Sequence, residues 1–298
     1  MMIDNKQINA MICLLDDPDE EICGQIEYRL LEMGAEVIPY LENAWEDSEN
    51  EIIQHKIENI IQKINYDDVC RKLVNWARLG GQNLLTGALL IAKYQFPEMD
   101  EEKVKNYLNQ LRQDVWIELN DNLTALEKIK TINHILFKVH GFAGNRKNYH
   151  SPNNSYINCV LESKKGNPLS IGMIYMIIAQ GLDIPVYGVN LPEHFVLAYE
   201  DELNQFATTS SENEQEGILF YINPFSGGSI FGKKEINSYL EQIGVKTKRS
   251  YFVPCNNIDL IIRNLNNLIY SYQKNGKEGK VAEIKHILDL ISTYKSDK

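Results

Sequence analysis

Residues 164–200 read KKGNPLSIGMIYMIIAQGLDIPVYGVNLPEHFVLAYE. Gly166, Asn167 and Pro168 open a run that is apolar on every side, IGMIYMIIA (171–179). A helix apolar all round is a buried one, and Pro suits its first position. The spacing therefore predicts a core helix over 168–181. After Pro185 the period shortens. VYGVN (186–190) and HFVLAYE (194–200) are rich in β-branched and aromatic residues and read as strands. Helix, strand, then a histidine at the head of the next strand is the order in which several thiol enzymes assemble a nucleophile and its base.

Working outward, AGNRKNYHSPNNSY (143–156) is a polar loop, and NCVLES (158–163) a short helix. SSENEQEG (210–217) reads as a polar turn and ILFYINPF (218–225) as a strand ending at Gly227 and Gly228. A small antiparallel sheet beside helix 168–181 is the economical arrangement, which makes this region α+β. KKEINSYLEQIG (233–244) is a further helix. Residues 256–292 form two helices joined by NGKEG, with Leu265, Leu268, Ile269 and Tyr272 facing Val281, Ile284, Ile287 and Leu288. That pair resembles one tetratricopeptide unit.

Toward the N-terminus the chain reads as helices alone. In DDPDE (16–20), Asp17 is placed to cap a helix with Pro18 at its first position. A second short helix covers VIPYLENAW (37–45). About thirty residues on, Ile52, Ile60 and Ile61 echo Ile22, Leu30 and Leu31, and Trp76 echoes Trp45. Two helix pairs of HEAT type are expected. Pro97 breaks the pattern, and helices near 100–113 and 123–140 follow. The expected division is 1–95, a helical HEAT-like module; 96–250, an α+β core; and 251–298, a helical hairpin. The whole is α+β and mostly helical.

The 298 residues carry 41 acidic and 30 basic side chains, a formal net charge of -11. Nucleic acid and anionic membrane call for clustered Lys and Arg, so neither is expected as a partner. MMIDNKQINA lacks an apolar signal region, and no stretch is long enough to cross a bilayer. Cys13, Cys23, Cys70, Cys159 and Cys255 are scattered and odd in number, as expected of free thiols in a reducing cytoplasm. His134, His140, His150 and His194 lack ligand spacing; no metal and no cofactor are expected.

Several ordered blocks resemble the SirB1 family, also described as transglutaminase-like core 2. Tyr149, Asn154 and Ser155 match its Tyr and Asn-Ser pair. Gly166, Pro168, Leu169 and Ser170 match Gly-x-Pro-[IL]-[ST]. Gly188, Val189, Pro192, His194 and Phe195 match Gly-Val-x-x-Pro-x-His-Phe. Asn223, Pro224, Phe225, Gly227 and Gly228 match a later Asp-Pro-Phe with glycines. The resemblance is firm over about 100–298 and looser before that, and it implies a transglutaminase-like, papain-like core. Two departures stand out: Glu193 where the family has Gly, and Asn223 where it has Asp.

Transglutaminases and papain-like proteases use Cys, His and Asp or Asn, with the thiolate at a helix start. This chain offers His194 and Asn223 in matching order, and at the helix start Pro168 and Ser170 with no thiol, an absence general among SirB1-like proteins. Asn223 orients an imidazole without supplying charge. Ser170 reads first as a helix cap, and Cys159 as a buried, inert thiol on its own helix. The resemblance thus implies a binding or regulatory protein without the nucleophile, holding a peptide or protein partner in a cleft of Tyr149, Asn154, Ser155, Gly166, Pro168, Ser170, His194 and Asn223. Two rivals stand beside it. One is a hydrolase or amide-transfer enzyme in which His194 acts on Ser170 or on water, with Asn223 as orienter. The other is a structural scaffold without a cleft.

Overall fold

The computed structural model describes residues 5–200 and 217–294. The polar turn expected over 210–217 lies almost wholly outside the described residues. The chain splits into two compact units, Met1–Leu73 and Val74–Lys298. No helix among the described residues is long and apolar enough to cross a membrane.

The first unit holds α1 (Asn5–Cys13), α2 (Glu20–Met33), α3 (Ile38–Asp47) and most of α4 (Glu51–Arg78). Its core is aliphatic: Ile8, Leu15, Leu30, Val37, Leu41, Ile57 and Ile60 are each at most 3% exposed. The start of α2 differs from expectation. Asp17 accepts the amide of Asp19 in a local turn at 2.9 Å, and Asp19 then caps the helix by accepting from Glu21 N. Pro18 therefore precedes the helix. The expected second helix pair is also replaced. Residues 51–78 contain neither Gly nor Pro, so nothing interrupts the helix between Ile52 and Trp76, and α4 runs unbroken through both.

The second unit continues with α5 (Leu84–Gln95), α6 (Glu101–Glu118) and α7 (Ala125–Asn133), which passes into a π-helical turn over His134–Val139. Next come β1 (Ala143–Gly144), α8 (Ile157–Ser163), β2 (Lys165–Gly166), α9 (Pro168–Gln180), β3 (Val186–Leu191), β4 (His194–Glu200), β5 (Ile218–Asn223), β6 (Ser229–Phe231) and α10 (Lys233–Gln242). Then α11 (Asn257–Lys274) and α12 (Glu278–Ser292) pack on each other. β1 and β2 form a short parallel pair, and β3-β4-β5-β6 an antiparallel sheet.

The period-2 pattern decides what each face of that sheet meets. Val189, Leu191, Val196, Ala198 and Tyr221 share a core with Ile236 and Leu240 of α10 and with Phe252. Phe195 and Leu197 point the other way, onto α9. α9 also packs on α5, α6, α8 and α11. Enclosed on all sides, it buries even Ser170 and Tyr175, which is why its sequence has no polar face.

The close contact of sheet and helix is made possible by two glycines. A Cβ on Gly172 of α9 would lie 2.5 Å from the Phe195 ring, and one on Gly188 of β3 would lie 2.9 Å from it. The buried Phe195 ring fills the space that both leave open.

Candidate functional site

The start of α9 is a reciprocal capping box. Asn167 Oδ1 accepts the Ser170 amide at 2.9 Å, and Ser170 Oγ accepts the Asn167 amide at 3.0 Å. Pro168, without an amide hydrogen, occupies the first turn. Asn167 Nδ2 donates to Ser155 Oγ at 3.0 Å, and the Ser155 carbonyl accepts from Asn264 Nδ2 at 3.1 Å. Asn154 donates to the carbonyls of Asn148 and Tyr149 and accepts from Asn145 Nδ2. Asn154, Ser155, Asn167 and Ser170 are all buried. They hold the polar loop against α9, each through its own hydrogen bonds. Gly166 belongs to the same frame, paired with Gly144 across the short sheet.

His194 opens β4 after a two-residue turn, Pro192–Glu193, in which Glu193 adopts φ +56. Asn223, closing β5, uses Oδ1 to accept the amides of Phe225 and Ser226. Its Nδ2 consequently faces His194 Nε2, 3.4 Å away. An amide NH2 only donates, so Nε2 accepts and the ring is neutral, with its proton on Nδ1. Burial, and then the nearby Arg263 charge, hold the imidazole below the ordinary histidine pKa. This is the reverse of a carboxylate partner, which would favour imidazolium.

Arg263 of α11 anchors the same corner. Its Nη1 donates to Asn190 Oδ1 and the Leu191 carbonyl, at 3.0 and 3.1 Å, and its Nη2 to the His194 carbonyl at 2.6 Å. The guanidinium also lies over the Phe195 ring, 5.7 Å from its centre. The β3–β4 turn is thus held by a helix from far along the chain.

A cavity of about 510 Å³ opens here, lined by Tyr149, Pro168, Glu193, Phe195, Arg263, Asn267 and Tyr270 among others. Of the residues expected to form a cleft, Tyr149 and Pro168 line it. Asn154, Ser155, Gly166 and Ser170 lie in the frame behind, and His194 and Asn223 pair with each other beside it. No hydrogen bond among the described residues joins Ser170 to His194; Ser170 Oγ serves the Asn167 backbone instead. Cys159 sits on α8, where burial pushes its thiol up to about 11. No group of three or more His, Cys, Asp or Glu side chains suited to a metal occurs among the described residues.

The contribution of α11 was not legible beforehand. Arg263, Asn267, Tyr270 and Ser271 follow helical spacing onto one face. The available signal was an arginine directly after Ile261 and Ile262 in an otherwise apolar stripe.

Known proteins resemble part of this chain. A UPF0162 protein of Xylella fastidiosa is 33% identical over 157 residues, 51% of this chain and 50% of the relative. A UPF0162 protein of Pasteurella multocida is 29% identical over 128 residues, 43% of each chain. F-box only protein 21 of Mus musculus is 27% identical over 172 residues, 57% of this chain and 26% of the relative. The chain thus spans half or less of these relatives' length. No solved structure matches it. The model of the transglutaminase-like superfamily matches residues 102–266. That is more than half of the 298 residues, and the chain belongs to this superfamily.

Proposed function

We propose that this chain is a binding module on a transglutaminase-like frame, holding a peptide segment of a protein partner in the cavity between α9, the β3–β4 turn and α11. One observation carries the reading: the cavity persists while the groups that would do acyl transfer are engaged elsewhere. Ser170 Oγ is buried in a capping box, and His194 Nε2 already accepts a hydrogen bond. Serine needs a base and an oxyanion site to act as nucleophile. A base whose lone pair is occupied and whose pKa is depressed is poorly suited to that task. Within this reading the protein is SirB1-like and a pseudoenzyme of the cytoplasm, where its thiols stay reduced. The helices before the core (1–95) and a tetratricopeptide-like hairpin after it (251–298) offer further surface to the partner.

The test is an array of immobilised peptides probed with the full chain. Asn267→Trp, which fills the cavity from its wall, should abolish retention without lowering the melting temperature. If no peptide is held, or the filled variant binds equally well, the reading fails. Ammonia release from glutamine peptides tests the amide-transfer rival, and none is expected.

A further inference from the structure

Arg263 is a partly buried charge whose partners are all neutral: an amide oxygen and two backbone carbonyls. Among the described residues no carboxylate lies within ion-pairing distance of it. A guanidinium has five N–H groups. Nη1 serves two acceptors and Nη2 one, which leaves one N–H on Nη2 and that on Nε without an acceptor among the described residues. Nε and Nη2 flank one edge of the planar group, the fork that grips both oxygens of a carboxylate. Buried charges in proteins are as a rule paired. Burial also lowers the Arg263 pKa, as expected of a cation stripped of water and given no counter-charge.

The surroundings suit an anion of modest size. Arg263 lines the 510 Å³ cavity together with Asn267, whose side chain has no hydrogen-bond partner among the described residues, and with Tyr149 and Tyr270. The Asn167 side chain beside it already donates to Ser155 Oγ and accepts the Ser170 amide. Glu193 lines the rim, exposed and unpaired with Arg263, and its charge opposes an anion there. Among the described residues the pocket therefore holds one fixed, partly buried cation and adaptable neutral donors, with Glu193 as the opposing carboxylate at its mouth.

We infer that the cavity recognises a carboxylate on the bound peptide, gripped side-on by Arg263 with Asn267 as second donor. This rests on the binding reading above and specifies its ligand. A free C-terminus and an Asp or Glu side chain present the same group.

Fluorescein-labelled pentapeptide pools, made as free acids, as neutral C-terminal amides, and as amides with one internal Glu, separate the sources by anisotropy with the full chain. Acids should bind about tenfold or more tightly than neutral amides, as for one charge-assisted pair. If amides with Glu match the acids, a side chain is the source; if they match the neutral amides, the terminus is. Arg263→Lys should erase most of the preference, since a point charge cannot replace the fork. Arg263 also anchors the turn, so Glu193→Gln provides a variant on an exposed side chain. It should tighten acids about threefold and leave neutral amides unchanged. Equal binding of acids and neutral amides overturns the carboxylate assignment and leaves peptide binding standing. Retention of no pool overturns both.

Discussion

Asn223 donates its side-chain amide toward His194 Nε2, 3.4 Å away, because its own Oδ1 is held by the amides of Phe225 and Ser226. The turn after β5 thereby decides the tautomer of a histidine on the neighbouring β4. Replacing Asn223 by Asp keeps an oxygen for the turn and places an acceptor against the imidazole. In Asn223→Asp the proton affinity of His194 should rise about tenfold. A pH titration of the imidazole proton signals by NMR reads this directly. An unchanged midpoint would mean that Asn223 does not control the ring.

His194 also ties stability to pH. Its folded pKa is lowered, chiefly by burial and further by Arg263. On acidification the unfolded chain therefore takes up the proton first, near pH 6.5. The unfolded state binds more protons there, so stability is lost as pH falls through about 6.5 toward the lower folded value. In urea melts at about pH 7.5 and 5.5, His194→Gln should lose less stability on acidification than the parent chain. Equal losses would count against a buried neutral ring.

Ser170→Ala removes one half of the capping box and leaves the buried Asn167 amide only its longer bond to the Asn154 carbonyl, at 3.4 Å. A cost of about 1–2 kcal/mol is expected by chemical denaturation, with peptide retention unchanged. Loss of retention without loss of stability would return Ser170 to the binding surface.

Alanine normally stabilises a helix interior relative to glycine by about 1 kcal/mol. Gly24→Ala in α2, with nothing near the added methyl, should show that gain. Gly172→Ala in α9 should do the opposite. The methyl would lie 2.5 Å from the Phe195 ring, itself 1% exposed, and overpacking costs about 1–3 kcal/mol. Denaturation midpoints that move the same way for both would refute the Phe195 contact.

Much of the architecture was legible in local pattern. The apolar run 171–179, the change of period after Pro185, and the histidine two residues past Pro192 place α9, β3 and β4 within a residue or so of their observed ends. Periodicity records which face of an element is buried, and that survives without knowledge of the neighbour. The unbroken α4 marks where a repeated pattern misled: similar spacing in two stretches does not require the same turn in both.

Tertiary structure alone decided which polar groups meet. Arg263 reaches the His194 carbonyl across 69 residues of chain, and Asn223 reaches the His194 ring across 29. The family resemblance anticipated the second pairing, with Asn223 orienting the imidazole, but composition and spacing encode neither, because a hydrogen bond depends on distance and angle after packing. The residues of the motif were therefore readable one by one, whereas their division into a buried polar frame, a neutral His–Asn pair and a cavity wall completed by α11 emerged only from the packing of helix, sheet and loop around one another.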